Sequence, residues 1–242
     1  MTWVDIQKKL LTLLNADEIA CIVVEPIQGE GGFVVPADDF LPGIRKFTQE
    51  NGIMMVVDEV QSGMGRTGKM FAIENWNVEP DLMIIGKSLA SGLPLSGVIG
   101  SQKIMDSIAD GGIGGTYVGN PVGIAAALAV LDIIEEEKLL EKALKLGTLM
   151  KNKFTVIAEK NNLVGDIRGL GAMMAMEFVK DRKTKEPASE ETAKAIHDAI
   201  HQGVLIAKAG ILGNVVRMLI PLVIDEKDLT FGLDTFENAL KS

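Results

Sequence analysis

The sequence predicts an α/β fold: a parallel-type sheet with flanking helices, followed by a smaller α+β module. Three short apolar runs, Ala20–Val24, Ile53–Val57 and Leu82–Ile85, read as strands buried on both faces, because no polar residues alternate within them. Helical patterns separate the runs, and this alternation builds a parallel sheet with helices on both faces. After Pro121 the composition shifts to Ala, Leu, Glu and Lys. The shift places a domain boundary near residue 133, with a sheet-containing domain over 1–133 and a small α+β domain over 134–242.

Taken in order, Ile6, Leu10, Leu11 and Leu14 recur at helical spacing, so residues 4–14 read as an amphipathic helix. The first strand stops at Glu25-Pro26, since proline cannot donate to an interior ladder. Gln28-Gly29-Glu30-Gly31-Gly32 is a loop with an acid inside it. Pro36, Asp38 and Asp39 open a helix that Asn51-Gly52 closes, with Leu41, Ile44, Phe47 and Thr48 on its inner face. The second strand ends in Asp58-Glu59, residues 69–76 read as a short helix, and Pro80 precedes the third strand. Leu95–Gly100 is a further strand candidate, and Asp110–Asn120 is a glycine-rich loop. Residues 124–158 read as one long helix or two stacked ones, with Glu135, Glu136 and Glu137 on a solvated face. Strand candidates follow at Val164–Ile167, Met173–Phe178, Val204–Ile206 and Val215–Ile220, with helices at Glu190–His201 and Asp225–Leu240.

Bulk properties exclude several function classes. The net charge is −9 with no basic stripe, which argues against nucleic acid as a partner, because that contact needs clustered Lys and Arg. The longest apolar stretch, Ile124–Leu131, falls far short of the ~18 residues that span a bilayer, so no membrane partner is expected. Residues 1–14 interleave charged with apolar residues, unlike a signal peptide. The single cysteine, Cys21, lies in an apolar run and reads as a small core residue of a reducing compartment. A cytoplasmic location is the expectation.

The chemistry concentrates at strand ends. Glu25, Asp58 and Lys87 all fall at carboxyl ends of the first three strands, where ligands bind in open α/β sheets. Lys87 follows Gly86 at the tip of a buried element, where desolvation can lower an amine's pKa and make it nucleophilic. Asp58 lies 29 residues earlier, so a carboxylate and an amine share one end of the sheet. That pair suits pyridoxal 5'-phosphate: the lysine forms a Schiff base and the aspartate keeps the pyridine nitrogen protonated. Arg217 sits in the apolar run Val215–Ile220, and local sequence leaves two readings open, an outward-facing strand residue or a buried partner for a carboxylate. Two other motifs read less well. Gly63-Met64-Gly65-Arg66-Thr67-Gly68 fits a dinucleotide fingerprint, but Asp58–Ser62 intervene between strand and glycines. His197 and His201, the only histidines, read as an exposed helix face, since two histidines alone make a poor zinc-protease site.

Several stretches together resemble the class III pyridoxal-phosphate aminotransferases. They are Glu25-Pro26-Ile27-Gln28-Gly29-Glu30-Gly31-Gly32, the run from Asp58 to Gly68, Pro80-Asp81, Gly86-Lys87 and Gly115-Thr116-Tyr117-Val118-Gly119-Asn120-Pro121. Residues 111–116 and 167–173 most resemble 4-aminobutyrate aminotransferases, with ornithine and acetylornithine aminotransferases as nearby alternatives. The resemblance implies the C-terminal part of the aspartate-aminotransferase-like fold, with amino transfer from an ω-amino acid to 2-oxoglutarate through pyridoxal 5'-phosphate. It implies that Lys87 bonds the cofactor and moves the substrate Cα proton, and that Asp58 pairs with the pyridine nitrogen. Val60 would pack on the ring and Gln61 would contact its phenolic oxygen. Thr116 would bind the cofactor phosphate of a partner subunit, which makes a homodimer the expected assembly. Arg217 would hold the α-carboxylate of glutamate or 2-oxoglutarate, and Glu30 would pair with Arg217 when the donor is an ω-amine. Family members carry an N-terminal half, with the phosphate-binding turn, ahead of the Glu-Pro strand. The resemblance here begins near residue 18, so the other expectation is a non-catalytic fragment or split subunit that pairs with a missing N-terminal half.

Overall fold

The computed structural model describes residues 15–241, and the helix expected over 4–14 lies outside them. The chain divides into two compact units. One takes the chain up to Ile27, then Pro36–Gly65 and Lys69–Lys138; the other takes Gln28–Val35, Arg66–Gly68 and everything from Leu139.

The first unit is built on a four-stranded sheet of sequential order: β1 (Cys21–Val24), β2 (Met54–Asp58), β3 (Leu82–Ile85) and β4 (Gly97–Gly100). The first three strands are parallel, as the alternation with helices requires, but β4 turns back antiparallel on β3, so the sheet is mixed. Between β1 and β2, helix α1 (Phe40–Glu50) buries Leu41, Ile44, Phe47 and Thr48. These side chains join Ile53, Met55, Val57 and Ile73 in one core, against which Ile22, Val24 and Met83 also pack. Because side chains alternate across a strand, the other face of β1 carries Cys21 and Val23. Both are exposed, Val23 by 58%, which corrects two expectations. β1 is not buried on both faces, and Cys21 is not a core residue. An apolar run without polar alternation does not reveal which of its faces is covered.

Arg45 on α1 fastens this layer. Asp81, just before β3, accepts from Arg45 Nη1 and from the Met55 N–H on β2, both at 2.7 Å. Burial works to raise the Asp81 carboxyl, but those hydrogen bonds and the arginine's charge outweigh it, so its pKa lies below the usual 3.8. The helix expected over 69–76 is a 3-10 turn, Ala72–Trp76, ended by Asn77 in the left-handed region. Short helix α2 (Gln102–Met105) follows β4, and α3 (Pro121–Glu136) starts with Asn120 accepting from the Val122 N–H at 3.0 Å and with proline at its first turn. The long helical stretch is two helices, because the chain breaks at Lys138, with φ 51°, before α4 (Leu139–Lys160). A division at residue 133 falls inside α3.

The second unit pairs its four strands antiparallel in the order β5-β6-β8-β7: β5 (Val164–Leu170), β6 (Met173–Phe178), β7 (Ala207–Ala209) and β8 (Val215–Met218). The strand expected at Val204–Ile206 is displaced to Ala207–Ala209, and apolar Ile206 is buried without joining the ladder. Helix α5 (Ser189–His201) and α6 (Glu226–Ala239) complete the unit. Phe154, Phe178 and Phe236 are fully buried, the last two edge-on with ring centres 6.3 Å apart. Glycine is required where α4 meets the β5–β6 turn: a Cβ at Gly147 would lie 2.0 Å from the Gly171 carbonyl oxygen. Among the described residues no helix is long and apolar enough to cross a membrane.

Candidate active site

In the first unit, β2 and β3 run parallel with Asp58 opposite Ile84. Asp58 and the Gly86-Lys87 pair therefore leave the sheet at the same carboxyl end. Asp58 is half-buried, and its Oδ1 accepts from the Val60 N–H at 2.9 Å, which fixes the carboxylate against the turn that follows. The Val60 side chain lies beside Gly86: a Cβ built at Gly86 would stand 3.5 and 3.6 Å from the two Val60 methyls. Gly86 itself is extended at φ −174°. Lys87 is not, because its φ of 45° is left-handed, a conformation that costs a non-glycine residue of order 1–3 kcal/mol and clusters at functional sites. The lysine opens a 3-10 turn, Lys87–Ala90, against which α3 packs. Lys87 is exposed rather than desolvated, which corrects the expectation of a buried amine.

Glu59 was not singled out by the sequence, yet it organises this turn. It is fully buried, accepting from Ser62 Oγ at 2.6 Å and from the Ile73 N–H at 2.7 Å. Burial pushes its carboxyl upward in pKa, partly offset by the donors Ser62, Ile73 and Ala72. Alternation along β2 was the available signal, since adjacent acids must face opposite ways. Gln61 is half-buried in the same turn, while Thr116 lies in an exposed segment whose residues 106–119 all face solvent.

The glycine run 63–68 does not open a helix, so the dinucleotide geometry is absent there; the next helical turn is the 3-10 segment Ala72–Trp76. Its glycines serve packing instead. A Cβ at Gly68 would sit 2.4 Å from a Leu144 methyl, and Arg66, which donates to the Ile220 carbonyl, accepts from the Ala172 N–H at 2.9 Å.

In the second unit, Arg217 occupies β8 between Ala175 on β6 and Ala207 on β7, two small neighbours that leave room for a guanidinium. Its Nη1 donates to Glu30 Oε1 at 2.7 Å, and the Phe33 ring centre lies 6.0 Å from the guanidinium carbon. The pair is lopsided: the Arg217 side chain is 11% exposed and that of Glu30 is 72% exposed. Of the two readings open for Arg217, the structure has the paired one. The Glu30 loop is held by its backbone. Glu30 O accepts from the Gly210 N–H at 3.0 Å, and Gly32 O accepts from Arg168 Nε at 2.8 Å. Arg168 is itself paired with Asp166 at 2.9 Å and Glu177 at 2.6 Å. In the sequence Arg168 lies just past the expected strand Val164–Ile167, within the family-like stretch 167–173, and nothing there marks its pairing.

The first unit thus brings an amine and a carboxylate to one strand end, and the second holds an arginine paired with a glutamate. The class-III aminotransferase profile matches residues 4–240, and the chain belongs to that family. Pyridoxal 5'-phosphate is the cofactor of the family. Among relatives, the chain is 48% identical over 226 residues to a probable 4-aminobutyrate aminotransferase of Bacillus subtilis (strain 168), covering 93% of this chain and 52% of that protein. It is 46% identical over 218 residues to the 4-aminobutyrate aminotransferase of Escherichia coli (strain K12), covering 90% and 51%. A leucine/methionine racemase of Thermococcus litoralis is 45% identical over 225 residues, covering 93% and 50%. Among solved structures, a transaminase from the marine bacterium Virgibacillus aligns with TM-score 0.92 at 32% identity, over 98% of this chain and 56% of that one. The chain thus spans about half the length of the curated relatives it matches.

The residues present fit the family's cofactor. The first unit offers an amine of the kind that bonds an aldehyde, a carboxylate of the kind that pairs with a ring nitrogen, and a branched apolar side chain beside a glycine.

Proposed function

We propose that this chain carries the lysine-bearing part of a pyridoxal-phosphate aminotransferase site that moves an amino group from an ω-amino acid of the 4-aminobutyrate type to 2-oxoglutarate. The observation that carries the reading is the parallel β2–β3 register, which sends Asp58 and Lys87 out of the sheet at one end. When bound, the cofactor supplies an electron sink for the pair left at the substrate carbon. Lys87 would hold the cofactor through its amine and, once released, would take the proton from the substrate carbon that bears the amino group. Asp58 holds a proton on the pyridine nitrogen. Val60 supports the ring and Gln61 hydrogen-bonds its phenolic oxygen. Thr116 serves the phosphate of a partner subunit's cofactor, in a homodimer or in a pair with another chain. The unit that carries Lys87 acts as part of the large cofactor-binding domain and the unit that carries Arg217 as the small one.

Arg217 and Glu30 favour this donor and acceptor over α-racemisation, the activity named for the Thermococcus relative. The Glu30 carboxylate is mostly exposed, so it can return to water and leave the mostly buried guanidinium to a ligand carboxylate. Glu30 covers the arginine for an ω-amine, which has no α-carboxylate, and yields it to glutamate or 2-oxoglutarate. The test is to supply the purified chain with pyridoxal phosphate, 4-aminobutyrate and 2-oxoglutarate and to measure glutamate and the semialdehyde. Glutamate formation supports the reading, and conversion of L-leucine to its enantiomer without amino transfer overturns it. Cofactor capture without turnover favours a split subunit that needs a second chain.

A further inference from the structure

The two histidines of the chain stand together on the exposed side of α5, and neither has been assigned a role above. His197 Nε2 and His201 Nε2 are 3.0 Å apart, and the rings meet edge-on with centres separated by 4.3 Å. We propose that this pair is a bidentate site for a divalent first-row transition metal, copper(II) above nickel(II) above zinc(II).

The geometry sets the preference. With metal–nitrogen bonds of about 2.0–2.1 Å, a nitrogen separation of 3.0 Å gives a bite angle of about 91–97°. That is the angle between adjacent ligands in tetragonal copper or octahedral nickel, whereas tetrahedral zinc would need the nitrogens to part by about 0.3 Å. The protonation pattern is also close to what a metal requires. His197 Nδ1 faces Asp198 Oδ1 at 3.4 Å, so the carboxylate favours the tautomer with the proton on Nδ1 and a lone pair on Nε2. His201 Nε2 then donates to that lone pair, and metal entry needs only His201 to move its proton to Nδ1. Lys194 pairs with Asp198 Oδ2 at 3.2 Å, which holds the carboxylate in place without entering the site. Among the described residues no three His, Cys, Asp or Glu side chains gather as a metal cluster, so the remaining positions are filled by solvent or by an exogenous ligand.

The test uses the full untagged chain titrated with copper(II) and followed by electron paramagnetic resonance and calorimetry, alongside His197→Gln and His201→Gln. Both histidines are exposed, so either variant keeps the fold, which circular dichroism verifies. The expected result is one copper per chain with two equivalent nitrogen couplings, about tenfold or more weaker in each single variant. Nickel(II) should raise the melting temperature of the parent and of neither variant. The proposal is overturned if the single variants bind copper as tightly as the parent, or if the couplings report a backbone amide or terminal amine.

Discussion

At Lys87 the backbone and the chemistry point the same way. A lysine held left-handed at the end of a parallel strand is costly, and the register of β2 with β3 sets a carboxylate beside that strand end. Replacing Asp58 with Asn should leave the turn in place, because an amide oxygen can still accept from Val60, but cofactor binding should weaken and amino transfer fall by about 10²–10⁴-fold, the range for a positioned proton-handling group. Absorbance titration with pyridoxal phosphate and single-turnover kinetics measure the two effects. At the second unit, Glu30→Ala should leave glutamate-dependent turnover intact or improved, while Arg217→Ala should raise the KM for 2-oxoglutarate about ten- to a hundredfold, from loss of charge-assisted hydrogen bonds of about 1.5–3 kcal/mol. A steady-state comparison of 4-aminobutyrate with glutamate separates the two substitutions.

At the scale of elements, two couplings are open to test. Asp81 ties α1, β2 and β3, and its pKa is depressed. A group depressed in the folded state contributes stability that is present above its unfolded pKa and lost as pH falls through the folded value. Asp81→Asn should therefore flatten the acid side of the stability profile below about pH 4, where carboxyls titrate, and should destabilise the chain by about 1–3 kcal/mol at neutral pH. Urea unfolding across a pH series reads both. Gly147→Ala forces a Cβ into the Gly171 carbonyl, so a loss of about 1–3 kcal/mol is expected from overpacking. The elements themselves were largely legible in the sequence. The inner face of α1, the three parallel strands and the helices of the second unit followed from periodicity and from caps such as Asp39 and Asn51. What escaped was set by tertiary context. The reversal of β4 depends on its partner, β7 slid past Ile206 because burial without pairing leaves the same apolar signature, and Cys21 faces outward because nothing in a strand's own residues says where the helices lie. The candidate site divided the same way: Asp58 and Lys87 stood out by type and position, Arg217 only as a charge in an apolar run, and Glu30 only through the family resemblance, whereas Glu59 gains its importance from what it touches.

At the scale of the molecule, the first unit presents an apolar sheet face, with Val23 at 58%, Met54 at 40% and Val98 at 52% exposure. An exposed apolar sheet surface of this kind favours association, and a net charge of −9 opposes it only through long-range repulsion that salt screens. Light scattering should therefore show self-association that grows with ionic strength, and Val23→Lys with Val98→Lys should reduce it. The proposed chemistry, however, depends on one amine, that of Lys87. The purified chain should be mixed with pyridoxal phosphate and reduced with borohydride, and its peptides mapped by mass spectrometry. A stable phosphopyridoxyl label on Lys87, absent in Lys87→Ala, is expected. A label on other lysines with Lys87 unmodified, or no label at all, would contradict the proposed chemistry.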